Sequence, residues 1–352
     1  MKKALIFIVA VLAIVGLVLT SCQPQAAAKT AEKAAPAAKE MAKVQLAHNS
    51  SLESPWQKAS LKLADAFNAK SGAYKVEVFG NGVLHQRKWE VMLEMVQSGA
   101  LQMGIESVTA LGSQVPEIGA MGLPFLYKNQ EHVVKFLDQK APVWKKWLYD
   151  GFEGKNMVVV AISPRPFRQL NNNKKLIKTL ADIKGLKFRV PNNPLFVKIF
   201  EAIGAKPVPL PSGEIYTSIQ LGTVVGEDNS ISVQYDFKTH EVAKNFTIWN
   251  YIADASIVFM NKDFFYKMPE AERALLLQAG KEWEATNLKE DGDAVIKARS
   301  EMEKAGVKFY EMTDADKAPF KEKLKVVYAD FSKKLKPDEW KAFLDAVEAS
   351  GK

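Results

Sequence analysis

Segments of strand length alternate with amphipathic segments of helix length along most of this chain. Tyr74, Val76 and Val78 alternate with polar residues, as they would in a half-buried strand. Downstream, Trp89 and Leu93 are spaced so that they share one face of a predicted helix. A strand that is followed by a helix usually returns to the same sheet beside its neighbour. The order therefore predicts an α/β fold in which mainly parallel strands are covered by helices.

Two longer segments are expected to connect the halves of the molecule. Phe246 to Phe259 is a long apolar run with β-branched and aromatic residues, which predicts one long strand or two shorter ones. Pro269 to Lys304 is rich in Ala, Glu and Lys, and as a single helix it would be about 55 Å long. Gly292 is the expected weak point of that helix, because glycine lowers helix stability.

The N-terminus has the pattern of an export signal. Lys2 and Lys3 precede an unbroken apolar run from Ala4 to Leu19, and small residues follow before Cys22. We interpret residues 1–21 as a lipoprotein signal peptide and Cys22 as the lipidated residue, which would hold the chain at a bacterial membrane surface. An uncleaved membrane anchor is the alternative, although the apolar run is slightly short for a spanning helix.

The next segment, residues 22–42, consists almost entirely of Ala, Lys, Glu, Gln and Pro, which is typical of a solvated tether. Cys22 is the only cysteine, so no intramolecular disulfide can stabilise the fold. These features predict an exported protein on the periplasmic or cell-surface side. The roughly 310 residues that follow favour two domains over one, with the second part beginning near Ser163.

The composition argues against several classes of function. The net charge of +8 comes from basic residues that are spread through the chain, and no aromatic-basic platform for nucleic acid is present. The four histidines have neither the helical spacing nor the neighbouring cysteine that a metal site requires. No phosphate loop, dinucleotide fingerprint or nucleophile elbow occurs in context. We therefore expect binding without catalysis, with no cofactor and no metal.

Arg189 is the leading candidate for binding a ligand. It ends a predicted strand, and Pro191 then turns the chain away from the sheet. Its planar guanidinium can hold a carboxylate through two parallel hydrogen bonds, whereas the alternative is a structural ion pair at the strand edge. Asn229 is expected to end a tight turn that contains Gly226. An asparagine in such a turn commonly caps its own backbone, which is the alternative to a ligand contact.

Two further candidates are less distinct. Arg168 lies near the proposed crossover between the halves, where Arg165 competes with it for any role in binding; the alternative for either is a solvated loop arginine. Glu106, at the end of a predicted strand, could accept a hydrogen bond from a hydroxyl or amine of a ligand, or form a salt bridge at the rim. Trp56 and Trp89 lie on helix stripes and are expected in the core rather than on a ligand platform.

Several motifs resemble those of the substrate-binding proteins of TRAP transporters, the tripartite ATP-independent periplasmic class. They occur in the order and spacing of that family: Ala181 to Pro191 (ADIKGLKFRVP), Gly204 to Pro207 (GAKP), Glu214 to Thr217 (EIYT), Gln220 to Gly222 (QLG), Gly226 to Asn229 (GEDN) and His240 to Lys244 (HEVAK). The resemblance is looser elsewhere but covers most of residues 43–345.

The resemblance implies a periplasmic-binding-protein-like fold. Two α/β lobes would enclose a ligand cleft, and the long helix would span both. On this basis we assign residues 43–165 and 254–294 to lobe I, and residues 166–253 and 295–348 to lobe II.

The resemblance also implies a function, namely an extracytoplasmic receptor that closes on a small organic anion and delivers it to the membrane subunits of a TRAP permease. Arg189 would pair with the ligand carboxylate, while Arg168 and Asn229 would make further ligand contacts; Glu106 stays a candidate from its place at the end of a predicted strand. The family usually has Val-Asp-Gly-Gln-Glu-Asn where this chain has Val-Val-Gly-Glu-Asp-Asn, ending at Asn229.

Other departures keep two alternatives open. Val225 replaces an acid of the family motif, and Ser212 stands where an aromatic residue is common. A surface interaction or scaffold lipoprotein that retains the fold is one alternative. A receptor for a neutral or hydrophobic ligand, with a purely structural Arg189, is the other.

Overall fold

The computed structural model describes residues 41–139 and 141–352. The predicted signal peptide, Cys22 and nearly all of the tether lie outside these residues. The strands are β1 (Ala42–Ala47), β2 (Tyr74–Phe79), β3 (Met103–Ser107), β4 (Met157–Asn172), β5 (Lys187–Val190), β6 (Lys206–Pro209), β7 (Gly226–Asn229), β8 (Asn245–Asn261) and β9 (Lys308–Glu311).

Helices connect these strands throughout. They are α1 (Pro55–Asn68), α2 (Trp89–Ser98), α3 (Val108–Leu111), α4 (Gln130–Gln139), α5 (Pro142–Glu153), α6 (Leu180–Ile183), α7 (Pro194–Ala202), α8 (Ile215–Gln220), α9 (Ile231–Asp236), α10 (Thr239–Val242), α11 (Lys262–Lys267), α12 (Glu270–Lys304), α13 (Asp314–Ser332) and α14 (Pro337–Ser350).

The strands form one mixed sheet in the order β2-β1-β3-β8-β4-β7-β5-β6, with β9 beside β8. Strands β2, β1 and β3 are parallel at one end, and β7, β5 and β6 are parallel at the other. The long strands β8 and β4 are antiparallel to each other and join the two parallel groups. The α/β fold with mainly parallel strands is thus confirmed, in a single continuous sheet. The assignment of residues to two lobes stays a prediction.

Strand β4 is longer than its apolar first part, residues 157–162, and continues to Asn172. It includes Pro164 and Pro166, although proline cannot donate a hydrogen bond to the ladder. A β-bulge lies in this part of the strand, since the pairing with β8 shifts register between Arg165 and Arg168. The bulge places these two arginines beside each other at the middle of the sheet.

The predicted tight turn at Gly226 to Asn229 was wrong. This segment is the buried strand β7, because it pairs with β4 on one side and β5 on the other. Ser212 precedes α8 without capping it, since its hydroxyl donates to the main-chain oxygen of Arg87 at 3.4 Å. Asn193 and Thr313 cap α7 and α13 through their side chains.

Alternate residues of the central strands pack on opposite faces of the sheet. Val158 and Val160 of β4 face a core that is formed with α1 and α12. Met157 and Val159 face the larger core, which is filled by α2, α4, α5, α7, α13 and α14. Both faces of the sheet are therefore covered by apolar side chains. A cavity with polar walls is expected at the strand ends or at the bulge.

Helix α12 is continuous over 35 residues, as predicted, and Gly292 does not interrupt it. The helix packs against α1 and β4 and reaches α9. Its central buried residues include Gly280 and Trp283, which lie under the sheet. In the described part of the chain, no helix combines the length and the hydropathy needed to cross a bilayer.

The two glycines of α12 give a matched test of this packing. A Cβ added at Gly292 would meet open space, so Gly292→Ala should raise the free energy of unfolding by about 0.5–1 kcal/mol, the usual gain from replacing glycine in a helix. A Cβ at Gly280 would lie 2.7 Å from the Val160 main-chain oxygen, so Gly280→Ala should destabilise the protein. Urea unfolding of both variants measures the difference. Equal effects at the two positions would contradict the packing described here.

Candidate functional site

One polar cavity collects all four ligand-contact residues that the sequence singles out. Its walls are formed by Asn49, Ser50, Trp56, Trp89, Glu106, Ser107, Ala110, Arg165, Arg168, Arg189, Pro191, Ser212, Asn229, Val233 and Phe237. The sequence does not separate Arg165 from Arg168, and the structure places both in the wall. Trp56 and Trp89 are buried as expected, yet each also presents part of its surface to the cavity.

The topology explains why these residues meet. Asn49 follows the carboxyl end of β1, and Glu106 lies near the carboxyl end of the parallel strand β3. On the other side, Arg189 and Asn229 lie near the carboxyl ends of the parallel strands β5 and β7. Carboxyl ends of parallel strands are the usual place for a ligand crevice in an α/β sheet. The bulge of β4 adds the two further arginines between the groups.

Arg189 has an available guanidinium edge. Its Nε donates to the Leu210 main-chain oxygen at 2.8 Å, which fixes the orientation of the group. Its Nη1 lies 3.9 Å from Glu227 Oε2, beyond hydrogen-bond distance. Neither terminal nitrogen donates a hydrogen bond to any residue that the structure describes. Burial lowers the pKa of Arg189 to about 10, so the group still carries its charge at neutral pH.

Arg168 is bound mainly to the protein itself. Its Nε donates to Asp228 Oδ2 and its Nη2 donates to the Asp228 main-chain oxygen, both at 2.6 Å. The guanidinium lies over the Phe196 ring, 4.9 Å from the centroid. Burial acts to lower the pKa of Arg168, but the attraction of Asp228 outweighs it and raises the pKa. Because Nε and one N–H of Nη2 are committed to Asp228, Arg168 has fewer free donors than Arg189.

Arg165, beside Arg168, is also paired with an aspartate. Its Nη1 donates to Asp254 Oδ2 at 3.2 Å, and its guanidinium stacks over Trp56 at 5.0 Å from the ring centroid. Trp56 is itself fixed by a hydrogen bond from Nε1 to Ser256 Oγ at 2.7 Å. The cavity therefore contains three guanidinium groups, of which two are paired with aspartates. The remaining positive charge lies at Arg189.

Acceptors and donors for the rest of a ligand lie around these cations. Glu106 accepts from Asn49 Nδ2 at 3.1 Å and from the Ser107 main-chain nitrogen at 2.8 Å. Asn229 Oδ1 accepts from the Ser230 main-chain nitrogen at 3.1 Å. Its Nδ2 makes no hydrogen bond within residues 41–139 and 141–352 and is free to donate to a ligand. Both residues can bind hydroxyl groups.

Several residues of this site were missed at the level of sequence. Asp228 and Asp254 compensate the arginines, and Asn49 orients Glu106. Glu227 lies next to Arg189 in the parallel pairing of β5 with β7. In the sequence, the only sign of these residues was Glu227 itself, which stands where the family motif has glutamine. Ion pairs between distant strands leave no local sequence pattern.

Three buried carboxyl groups carry raised pKa values. Burial raises the pKa of Glu106 and of Glu227 to about 7 in each case. Burial also raises the pKa of Asp291 on α12 to about 7, while its Oδ2 accepts from Asn287 Nδ2 at 3.0 Å. The protonated forms of these groups are therefore favoured by folding.

Comparisons of the sequence with a family model and with known proteins agree on one family. The family model described as "Bacterial extracellular solute-binding protein, family 7" matches residues 46–334. A solute-binding protein of Verminephrobacter eiseniae is 29% identical over 264 residues, 75% of this chain and 77% of that protein. The 2,3-diketo-L-gulonate-binding periplasmic protein YiaO of Escherichia coli is 28% identical over 270 residues, 76% of this chain and 79% of its own.

Solved structures agree with the sequence relatives. The sugar acid binding protein DctPAm of Advenella mimigardefordensis, in complex with galactonate, has a TM-score of 0.83 and 26% identity, and the match covers 88% of this chain and 100% of that one. A TRAP periplasmic solute binding protein of Roseobacter denitrificans with bound β-D-glucuronate has a TM-score of 0.81 and 25% identity, and the match covers 87% and 99% of the two chains.

The buried carboxyl groups predict how stability depends on pH. In the unfolded chain they lose their protons near their ordinary pKa values, whereas in the folded chain they retain them up to about pH 7. The stability that these three groups contribute is therefore full below their ordinary pKa values and is lost as pH rises through about 7. The buried histidines His48, His85 and His240 have lowered pKa values and act in the opposite direction, but only up to about pH 6.5. We expect the Tm without ligand to fall between pH 6.5 and pH 8, as measured by calorimetry.

Asp291 gives the cleanest variant for this test, because it lies on α12 outside the cavity wall. Asp291→Asn keeps an acceptor for Asn287 and should make the fall in Tm shallower. Glu322→Gln, at an exposed position of α13, should leave the fall unchanged. An equally steep fall in the Asp291→Asn variant would contradict the assignment.

Proposed function

Because the chain belongs to the bacterial extracellular solute-binding protein family 7, we propose that it is the extracytoplasmic receptor for a small organic anion and that it delivers this anion to the membrane subunits of a TRAP permease. The observation that carries the proposal is the free edge of Arg189, a buried cation whose terminal nitrogens have no hydrogen-bond partner among the described residues. A carboxylate matches that edge with two parallel hydrogen bonds.

The charge balance favours a ligand with one carboxylate. Asp228 and Asp254 compensate Arg168 and Arg165, so one net positive charge remains when Glu106 and Glu227 are protonated. The other polar groups of the wall suit hydroxyls rather than a second carboxylate. Relatives and structural neighbours are named for 2,3-diketo-L-gulonate, galactonate and glucuronate. We therefore propose a hydroxylated monocarboxylate, such as a sugar acid.

In this mechanism the receptor works by closing around the ligand. Arg189 binds the carboxylate, Asn229 and Glu106 bind hydroxyls, and Arg168 contributes its remaining Nη1. The lobes, assigned as residues 43–165 with 254–294 and residues 166–253 with 295–348, rotate about the long strands β4 and β8. Closure then depends on how much better the ligand binds the closed form. Lipid on Cys22 would keep the receptor at the membrane surface near its permease.

The ligand can be identified without guessing its structure. Small molecules released by denaturing the purified protein are measured by mass spectrometry, and candidates are confirmed by thermal shift with D-glucuronate, D-galacturonate, galactonate, succinate and neutral methyl glycosides. Stabilisation by the monocarboxylates supports the proposal. Stabilisation by the neutral sugars alone would favour a receptor for neutral ligands, and the absence of any ligand would favour a surface scaffold protein.

Arg189 is tested by substitution. Arg189→Ala should weaken binding of the anion by about 2–5 kcal/mol, as expected when one partner of a buried charge pair is removed. Arg189→Lys should also weaken binding, because an ammonium group cannot form the two parallel bonds. Isothermal titration calorimetry measures both effects. Arg299→Ala on α12, outside the cavity, removes another arginine and should retain the affinity; unchanged affinity in Arg189→Ala would refute the assignment.

A further inference from the structure

Glu227 is a buried carboxyl group that the binding mechanism does not use. It lies at the centre of β7 and is fully buried. Its main-chain nitrogen donates to Asn171 Oδ1 at 3.0 Å, but neither carboxyl oxygen accepts a hydrogen bond from the part of the chain that the structure describes. The nearest cation is Arg189, with Nη1 3.9 Å from Oε2. A carboxyl group without a hydrogen-bond donor thus lies next to Arg189, the residue proposed to bind the ligand carboxylate.

Charged groups on three strands surround Glu227. Arg189 on β5 and Arg168 on β4 attract its negative charge, whereas its neighbour Asp228 repels it. Thr239, at the start of α10, is a further polar neighbour whose hydroxyl acts to lower the pKa of Glu227, although in the structure its proton is donated to the Gln234 main-chain oxygen at 3.2 Å. Burial raises the pKa of Glu227 to about 7, and Asp228 adds to this effect. Near neutral pH the group therefore exists in both forms.

We propose that Glu227 is a proton-exchanging counter-ion of Arg189, which takes up a proton from solvent when an organic anion docks on that arginine. The inference rests on the proposed function. In the ligand-free receptor, ionised Glu227 partly neutralises Arg189. A docked carboxylate brings a second negative charge to the same guanidinium, and two carboxylates that share one site do not both stay ionised. The proton joins a Glu227 oxygen, and the positive charge of Arg189 is left for the ligand.

This exchange makes the affinity depend on pH. Protonated Glu227 favours the complex, so the anion should bind most tightly below about pH 7. Above that value the proton must be taken up on binding, and Kd should rise by up to about tenfold per pH unit until Glu227 is also ionised in the complex. The sugar acid itself does not titrate in this range, because ordinary carboxylic acids ionise near pH 4.

Proton uptake is measured directly by calorimetry. Binding of D-glucuronate or galactonate at pH 7 is titrated in phosphate and in Tris, whose ionisation enthalpies differ, and the difference gives the number of protons exchanged. We expect an uptake of about half a proton at pH 7, rising toward one at pH 8. Glu227→Gln keeps the shape of the side chain but removes the titrating group. This variant should abolish the proton uptake that Glu227 contributes and give a nearly constant Kd between pH 6 and pH 8.

Glu106 is the rival source of such a proton, because it lines the same cavity and has a pKa that is also raised to about 7. Glu106→Gln should retain the uptake that Glu227 contributes, whatever its own effect on affinity. Asp291→Asn, at a buried carboxyl outside the cavity, should retain it as well. Uptake that persists in Glu227→Gln, or that disappears in Glu106→Gln alone, would overturn the inference.

A second measurement needs only the wild-type protein. Infrared difference spectra at pH 7.5 should show a new protonated-carboxyl band when the anion is added. If the anion binds and the band does not appear, the result contradicts the inference. Failure of every anion to bind would instead overturn the proposed function, and the inference with it. Binding without proton uptake would leave the receptor function intact and remove only the role of Glu227.

Discussion

Three guanidinium groups buried in one cavity are the constraint around which the rest of this structure is arranged. A buried cation without compensation is costly, so each arginine requires an anion or strong acceptors nearby. Asp228 and Asp254 meet this need for Arg168 and Arg165 with direct hydrogen bonds. Arg189 has only a main-chain oxygen and the more distant Glu227. This unequal compensation is the basis of the anion site proposed at Arg189.

The fold supplies the geometry that this cluster needs. Strands β4 and β8 join the two parallel groups of the sheet, and the register shift between Arg165 and Arg168 lies where both side chains line the cavity. The parallel strands β5 and β7 bring Arg189 beside Glu227. Because these positions belong to paired strands rather than to loops, the donor groups are held in place before a ligand arrives. Such preorganisation reduces the entropy that binding would otherwise cost.

The sequence predicted the elements better than it predicted their partners. Helix α12, the α/β class and the position of Arg189 at a strand end follow from periodicity, composition and the proline two residues later. The continuation of β4 past Pro164 and the strand conformation of Asn229 do not, because both depend on pairing with distant strands. Turn-forming residues such as Gly226 have a local preference, which pairing on both sides overrides. The compensation of Arg168 by Asp228 is equally non-local.

Hydrogen bonds between residues next to the cavity wall bear on the proposed closure. The Ser51 main-chain nitrogen donates to Asp236 Oδ2 at 3.2 Å, and Asn192 Nδ2 donates to Glu90 Oε1 at 2.9 Å. Hydrogen bonds to charged groups at such partly exposed positions contribute on the order of 1 kcal/mol each or less, since water competes for both partners. Each of these contacts is therefore weak, and the buried Asn193 Nδ2, which donates to the Thr109 main-chain oxygen, adds a further link near the cavity. Within the cavity region, the terminal nitrogens of Arg189, the Nε of Arg165 and the carboxyl oxygens of Glu227 have no hydrogen-bond partner among the described residues. In the proposed mechanism, closure and anion binding are therefore coupled, because a docked carboxylate would pair with the free edge of Arg189.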